Sequence, residues 1–420
     1  MTRPPAARAS SPAAARAERR AAVVERGGIG LLAMLIAFQP MSTDLYLPAM
    51  PALAAALDAP AASVQATLSI YIAAFAVAQL LAGPLSDRFG RRPVAIGGVA
   101  AYIVGSLIAA LAGGLTMLVA GRVLQAVGTC CTVVCARAIV RDRYDASTGA
   151  RRLSQAASWV GLMPLAAPLL GGALVAPFGW RSTFVVMTVF GLVTLVACLR
   201  LLDESNRQPD RSALRPGPML ANYLTVLRSP TWLAFTLIGT AMYWGLFAFL
   251  AESSFVFVGL FGLSPTGFGV AFAMVTTGFL LGTFAVRRVL PRIGIQRTLL
   301  AATVLSSTSG VAMLVLALSG IDHVATVMAP QFVFVFAHGL SQAAWQAGSV
   351  APFPRSAGAA AALTGFVQNV AAAAGGWLVG RLHDGSTLPM ALMVSSAGVG
   401  GLLVALTLVR RYGGVDTVPR

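Results

Sequence analysis

Twelve apolar stretches of roughly helix-spanning length follow one another along the chain, at 28–49, 64–84, 94–113, 115–138, 153–175, 182–200, 230–252, 266–286, 298–318, 324–346, 358–380 and 390–409. A helix needs about 20 apolar residues to cross a hydrocarbon layer of ~30 Å. In lipid every backbone polar group must be satisfied inside the segment, so a chain of this kind is left with helices. Of the 420 residues 57 % are hydrophobic and only 10 % charged. With a mean hydropathy of +0.79, a soluble fold is excluded. The expectation is an all-α membrane protein of twelve transmembrane helices arranged as two six-helix pseudo-repeat halves. The halves are expected at 28–200 and 230–410. Between them 201–229 reads as a cytoplasmic linker, with Asp203, Glu204, Asp210 and four arginines. Residues 1–27, rich in Ala, Arg, Ser and Pro, read as a disordered cytoplasmic tail, and 411–420 as a second tail.

The net charge of +16 invites a nucleic-acid reading, which the placing of the charge removes. Every basic side chain other than His is Arg. The arginines gather in the tail, in the run 88–92, in 141–152, 200–228 and 287–297, and at Arg355, Arg410 and Arg411. The other side receives only Arg181 and Arg381. This is the positive-inside pattern, with both termini cytoplasmic. The cysteines Cys130, Cys131, Cys135 and Cys198 all fall within apolar segments and read as small packing residues; no metal or cofactor is expected.

The run Gly83-Pro84-Leu85-Ser86-Asp87-Arg88-Phe89-Gly90-Arg91-Arg92-Pro93 joins two apolar segments by a tight turn. Its glycines permit the turn and Pro93 suits the first turn of the next helix. Asp87 ends a helix, where a carboxylate opposes the macrodipole and needs a compensating partner. The run resembles the cytoplasmic signature of the major facilitator superfamily, G-x-L-x-D-R-x-G-R-R, and Gly83, Asp87, Arg88, Gly90, Arg91 and Arg92 are its gating-loop positions. A weaker echo follows about 199 residues later, at Leu280-Leu281-Gly282 and Arg287-Arg288, with Val286 where Asp87 would stand. Two halves related by a parallel repeat suit a transporter that rocks one half against the other.

Ionisable residues inside a membrane are costly, so each invites a function. Asp44 lies about 24 Å along its helix from Gly28, at ~1.5 Å per residue. It reads as a buried proton-binding carboxylate, or else as the N-cap of a helix restarting after Pro40. Arg122, with Gln125 three residues on, lies about 10 Å deep from the other end of its own segment, and Asp44 is the expected partner of its charge. The phrase Arg122-Val123-Leu124-Gln125-Ala126-Val127-Gly128 resembles the superfamily's R-x-x-Q-G/A-x-G signature, which implies proton coupling through Asp44, Arg122 and Gln125. The fifth segment carries Gly161, Pro164, Pro168, Gly171 and Gly172, similar to the antiporter motif G-x-x-x-G-P-x-x-G-G with Ala167 for one glycine. In the second half Gln331, His338, Gln342 and Gln346 form one polar stripe beside Trp345, with Gln368 and Asn369 on the next helix but one face of the same wall. Tyr46, Trp244, Phe247, Glu252, His338, Gln342, Trp345 and Gln346 are the expected substrate-cavity residues.

Within the superfamily the chain resembles the drug:proton antiporters of the bicyclomycin-resistance and chloramphenicol-efflux type. The residues carrying this are 42–51 (Ser-Thr-Asp-Leu-Tyr-Leu-Pro-Ala-Met-Pro), Arg137 to Asp142, Ala167 to Gly172 and Pro352 to Arg355. The resemblance implies a bacterial inner-membrane exporter that exchanges protons for amphipathic antibiotics and works as a monomer. Its partners are small molecules, protons and lipid. Where such exporters have Ser-Pro after the seventh segment, Ser253-Ser254 follows Glu252 here, which leaves the charge preference open. A metabolite exporter of the same fold, and an uptake symporter, stay as alternatives. An enzyme or receptor lacks its constellation, since no His/Cys/Asp cluster stands out.

Overall fold

The computed structural model describes residues 12–211, 213–354 and 356–414. The elements, in chain order, are α1 (Pro12–Thr43), α2 (Met50–Ala56), α3 (Ala61–Phe89), α4 (Arg91–Ala110), α5 (Leu115–Arg143), α6 (Ala146–Val160) and α7 (Met163–Phe178). They continue with α8 (Arg181–Leu201), α9 (Pro216–Leu227), α10 (Pro230–Ser254), α11 (Pro265–Leu318), α12 (Val324–Val350), α13 (Ala357–Leu382) and α14 (Leu388–Val404). The architecture is entirely helical among the described residues. Among the described residues eleven helical segments are long and apolar enough to cross a membrane, α11 counted as one. One of them, the 54-residue α11, bends at Gly294, whose φ of 78° is non-helical. Its 54 residues, at 1.5 Å each, make ~80 Å of helix in all, enough for two crossings. The two parts of α11, separated by the turn at that glycine, are the eighth and ninth expected segments.

Two boundaries depart from expectation. Helix α1 starts at Pro12 inside the segment expected to be disordered, an Ala-rich stretch of high helix propensity; the expectations for residues 1–11 and for Arg355 lie outside the described residues. Helix α1 also passes through Pro40 and ends at Thr43, not at the proline. Residues 44–46 form a turn and Leu47–Ala49 a single 3₁₀ turn before α2. Within the fifth segment the helix is interrupted at Gly161-Leu162, and Pro164 lies in the first turn of α7, where its missing N–H costs nothing.

Successive helices pair within each half, α4 with α5 and α11 with α12, and the halves meet along two seams. One seam joins α3 to α13, the other α7 to α11. Small residues make both approaches possible. Across the α7–α11 seam Gly172 faces Pro265 and Thr266, and Gly269 faces Pro168 and Leu169, while Gly171 lets α7 approach the Leu45 carbonyl and Pro48 inside the first half. Gly376 and Gly380 likewise leave room for Ser69 and Gln65 across the α3–α13 seam. Both seams are tight on the face that carries the loops 57–60 and 255–264. On the other face, where the Gly83–Pro93 turn and residues 201–229 lie, a cavity opens between the halves.

Candidate functional site

Arg122 is fully buried on α5 and anchors a polar network in the first half. One guanidinium nitrogen donates to the Ser42 carbonyl at 2.9 Å and to the Gln125 side-chain oxygen at 2.6 Å. The guanidinium carbon stands 4.2 Å from the Tyr71 ring centroid and 4.7 Å from that of Tyr46. A cation between two aromatic faces in a dry interior is well stabilised. Gln125 passes the network on to the Ser106 hydroxyl at 2.8 Å, Ser42 reaches the Tyr102 hydroxyl at 3.2 Å, and Tyr46 bonds to Thr67 at 2.8 Å. Two guanidinium nitrogens of Arg122 have no hydrogen-bond partner.

Asp44 is buried close by, yet it does not pair with Arg122. Its carboxylate accepts from the Thr43 hydroxyl at 2.7 Å, and its backbone N–H closes the helix by donating to Pro40. The expected ion pair is corrected by where the helix ends. Stopping at Thr43 frees the Ser42 carbonyl, and that oxygen with Gln125 takes the guanidinium in place of the acid. Asp44 caps no helix either, since neither the 3₁₀ turn nor α2 has a side-chain cap. The i,i+3 spacing of Arg122 and Gln125 made their contact legible beforehand. Tyr71 and Tyr102, on other helices, gave no such signal.

A cavity of about 650 Å³ opens between the halves on the face of the Gly83–Pro93 turn. Gln79, Asp87 and Arg91 line one side, Arg137 and Arg141 of α5 the roof, Tyr223 the linker side, and Ser356, Gly358 and Ala362 at the start of α13 the far wall. Of the expected cavity residues, Tyr46, Trp244, Phe247, Glu252, His338, Gln342, Trp345 and Gln346, none lines this opening. Most pack within the second half instead. Tyr243 is their hub: its ring lies 6.0 Å from Phe247, 5.5 Å from His338 and 6.3 Å from Trp345. Phe279 meets His338 from the other side at 5.6 Å. Gln331, fully buried, and His338 Nδ1 and Trp345 Nε1 have no partners. Gln342 is half-buried and Gln346 exposed. Asn369 does cross between halves, donating to Gln79 at 3.3 Å.

Glu252 departs furthest from expectation. It is fully buried at the end of α10, where its two oxygens accept from Gln65 of α3 at 2.8 Å and contact His383 Nδ1 at 2.5 Å. It belongs to the closed seam, away from the cavity.

The gating turn is held by charges drawn from four segments. Gly90, at φ 100°, is the single residue between α3 and α4. Asp87 pairs with Arg91 at 2.5 Å, and Arg91 also bonds to Asp142 at 2.9 Å and to the Ser86 hydroxyl at 2.7 Å. Arg91 thus supplies the compensation that a carboxylate at a helix end requires. The start of α13, across the cavity at Ser356 and Gly358, is not its partner here. The linker completes the arrangement. Glu204 accepts from the backbone N–H groups of Arg91 at 2.9 Å and Arg92 at 3.1 Å, capping α4 from more than a hundred residues away. Asn206 and the backbone of Asp210 both donate to the Asp87 carbonyl. Arg88 lies over Phe89, and Arg92 reaches the Leu199 carbonyl.

Two helical halves around a buried cation, with a cavity opening between them on one face, are the architecture of a membrane transporter. The chain belongs to the major facilitator superfamily: the family's model matches residues 32–376. It is 28 % identical over 91 % of its length to the bicyclomycin resistance protein homolog of Haemophilus influenzae, 95 % of which is covered. It is 27 % identical to multidrug resistance protein D of Escherichia coli, covering 90 % of this chain and 92 % of that one. Among solved structures, a POT family transporter in complex with 5-aminolevulinic acid superimposes with a TM-score of 0.74 over 92 % of this chain and 96 % of the other. At 14 % identity that likeness speaks for the fold. The chain is a multi-pass membrane transporter with multidrug- and bicyclomycin-resistance relatives.

Proposed function

We propose that the protein exports amphipathic small molecules, antibiotics among them, across the bacterial inner membrane in exchange for protons. Both termini lie in the cytoplasm, so the open cavity is cytoplasmic and the arrangement described above is the inward-facing one. The observation that carries this reading is the one-sided cavity, set beneath a buried network that contains one carboxylate and one guanidinium not bonded to each other. Solute enters from the cytoplasmic side, and closure there accompanies opening outside.

Asp44 is the proton carrier in this scheme. It has one hydroxyl for company, and the guanidinium of Arg122 in the same half is occupied by neutral oxygens. A rotation of α5 that moves Arg122 from the Ser42 carbonyl toward Asp44 favours the ionised carboxylate, and the reverse movement favours the acid. Proton and solute then bind alternately. Arg137 and Arg141 in the cavity mouth, with the turn Gly83–Pro93, form the entry side; the small-residue seam of Gly172 and Gly269 closes the exit.

The test combines two measurements. Cells with and without the gene are compared for susceptibility to bicyclomycin, chloramphenicol and unrelated antibiotics; protection against at least one amphipathic class is expected. The purified protein in detergent is then assayed for solute-induced proton release. Wild type releases protons, whereas Asp44→Asn, a permanent mimic of the acid, releases none and supports only downhill leak. Unchanged release from Asp44→Asn removes Asp44 from the scheme.

A further inference from the structure

We propose that Gln65, Glu252 and His383 form a latch on the extracellular face that holds the halves closed there, and that a proton taken from the external medium by His383 sets it. The assignment of that face as extracellular rests on the function proposed above; the latch itself rests on geometry.

Glu252 is completely shielded from solvent, and a carboxylate in such a place must be matched. It is matched twice, by groups with different roles. His383, which follows α13 directly, contacts one oxygen at 2.5 Å and remains 24 % exposed, so it can exchange protons with the medium while Glu252 cannot. Gln65 donates to the other oxygen at 2.8 Å and belongs to the first half, whereas Glu252 and His383 belong to the second. The bond from Gln65 is thus a tie between halves, and it is made to a carboxyl group that His383 also holds. The setting is shaped for the tie. Gly380 leaves the space that the Gln65 side chain fills, and Gly376 does the same for Ser69. Phe255 covers the imidazole at 5.7 Å. Opening the outer face separates α3 from α13 and α10, so the bond from Gln65 must break.

Other charges around the site are accounted for. Asp384 is occupied by the N–H and hydroxyl of Ser386. Arg381 lies over the Trp377 ring. Asp58, before α3, is exposed. The segment 255–260 contributes no titratable group. The bond to Glu252 raises the basicity of His383 above the ordinary histidine value, against an opposing effect of burial, and nearby Asp384 adds to the rise. A state in which His383 has lost Glu252 has no such rise. The closed state therefore binds the proton more tightly, and closure is favoured as the pH falls toward 6 and weakened as it rises past the raised value. In an antiporter this sign is useful: an acidic exterior drives return to the inward-facing state after solute release.

The test measures the outer opening directly. Spin labels at Ala56→Cys and Asp322→Cys, in protein whose four native cysteines are replaced, report the distance between halves at that face. Purified protein is examined in detergent with one pH on both faces and no solute, so the result is independent of orientation and of transport. From pH 8 to pH 6 the ratio of closed to open wild type should rise by about two-fold or more. His383→Asn should abolish this response. Gln65→Met, which keeps the volume and leaves the acid paired with His383, should lower the closed fraction at every pH. A wild-type pH response in His383→Asn, or an unchanged closed fraction in Gln65→Met, overturns the proposal.

Discussion

The two halves contain the same backbone device in corresponding places, and only one copy is wired. In the first half α3 ends at Gly90, at φ 100°, and α4 begins at once. In the second half the chain turns at Gly294, at φ 78°, between the two parts of α11. Around Gly90 there are an ion pair to Arg91, a second bond from Arg91 to Asp142, and the cap from Glu204. Around Gly294 the arginines Arg287, Arg288 and Arg292 are exposed. Val286, in the place of Asp87, is packed with Ala302, Ala337 and Leu340. The repeat preserves the turn, while the charges that hold it occur in one copy. In this chain they sit in the half that also holds Arg122, and they connect to the linker joining the halves.

Exchanging the acid between copies should give the largest effect. Val286→Asp puts a carboxylate into an apolar cluster without a partner, a cost on the order of 3–5 kcal/mol. The variant should fail to accumulate in the membrane, as read by fluorescence size exclusion. Asp87→Ala removes a side chain that is 40 % exposed and should accumulate normally while exporting more slowly. Normal accumulation of Val286→Asp would mean that the two copies are interchangeable after all.

Substituting the hinge glycines sharpens the contrast further. An alanine at either position is held at a positive φ with extended ψ, a region open essentially to glycine alone, at about 1–3 kcal/mol. At Gly294 the added methyl meets open space, but at Gly90 it meets the Glu204 carboxylate, so the cap is lost as well, at roughly 1 kcal/mol more. Gly90→Ala should therefore lower the melting temperature more than Gly294→Ala. Equal losses would show that the linker does not cap α4 in solution.

The smallest effect concerns Glu204 and depends on pH. Burial pushes its carboxyl up, but backbone N–H groups of Asn206, Arg91, Arg92 and Ser205 outweigh this, and it lies below the ordinary glutamate value. A depressed carboxyl stabilises the folded state above the ordinary value, and that contribution fades as the pH falls through the ordinary and then the depressed value. Wild type should melt slightly above Glu204→Gln at pH 7, with the gap closing as the buffer is taken below about pH 4. A gap that stays constant with pH would assign the cap to the side chain's shape alone.

Hydropathy and short-range spacing had already settled a good deal. The span positions, the turn at Gly90, the contact of Arg122 with Gln125 and the small-residue pair Gly171 and Gly172 are each legible within one helix or one loop, because each depends on local length, helical period or the absence of a side chain. What pairs across helices was not legible. Asp44 and Arg122 have matching depth, yet depth says nothing of rotation about the helix axis, and one turn's difference in where α1 ends gave the guanidinium a carbonyl instead. Glu252 shows the same limit from the other side. Its position at a helix end suited a cavity mouth equally well until Gln65 and His383, distant in sequence, were brought against it. Hydropathy is a sum over neighbours in the chain, so the sequence by itself determined which residues lie in the membrane. Partner choice depends on the relative rotation and closure of helices far apart in the chain, and that only the tertiary structure decided.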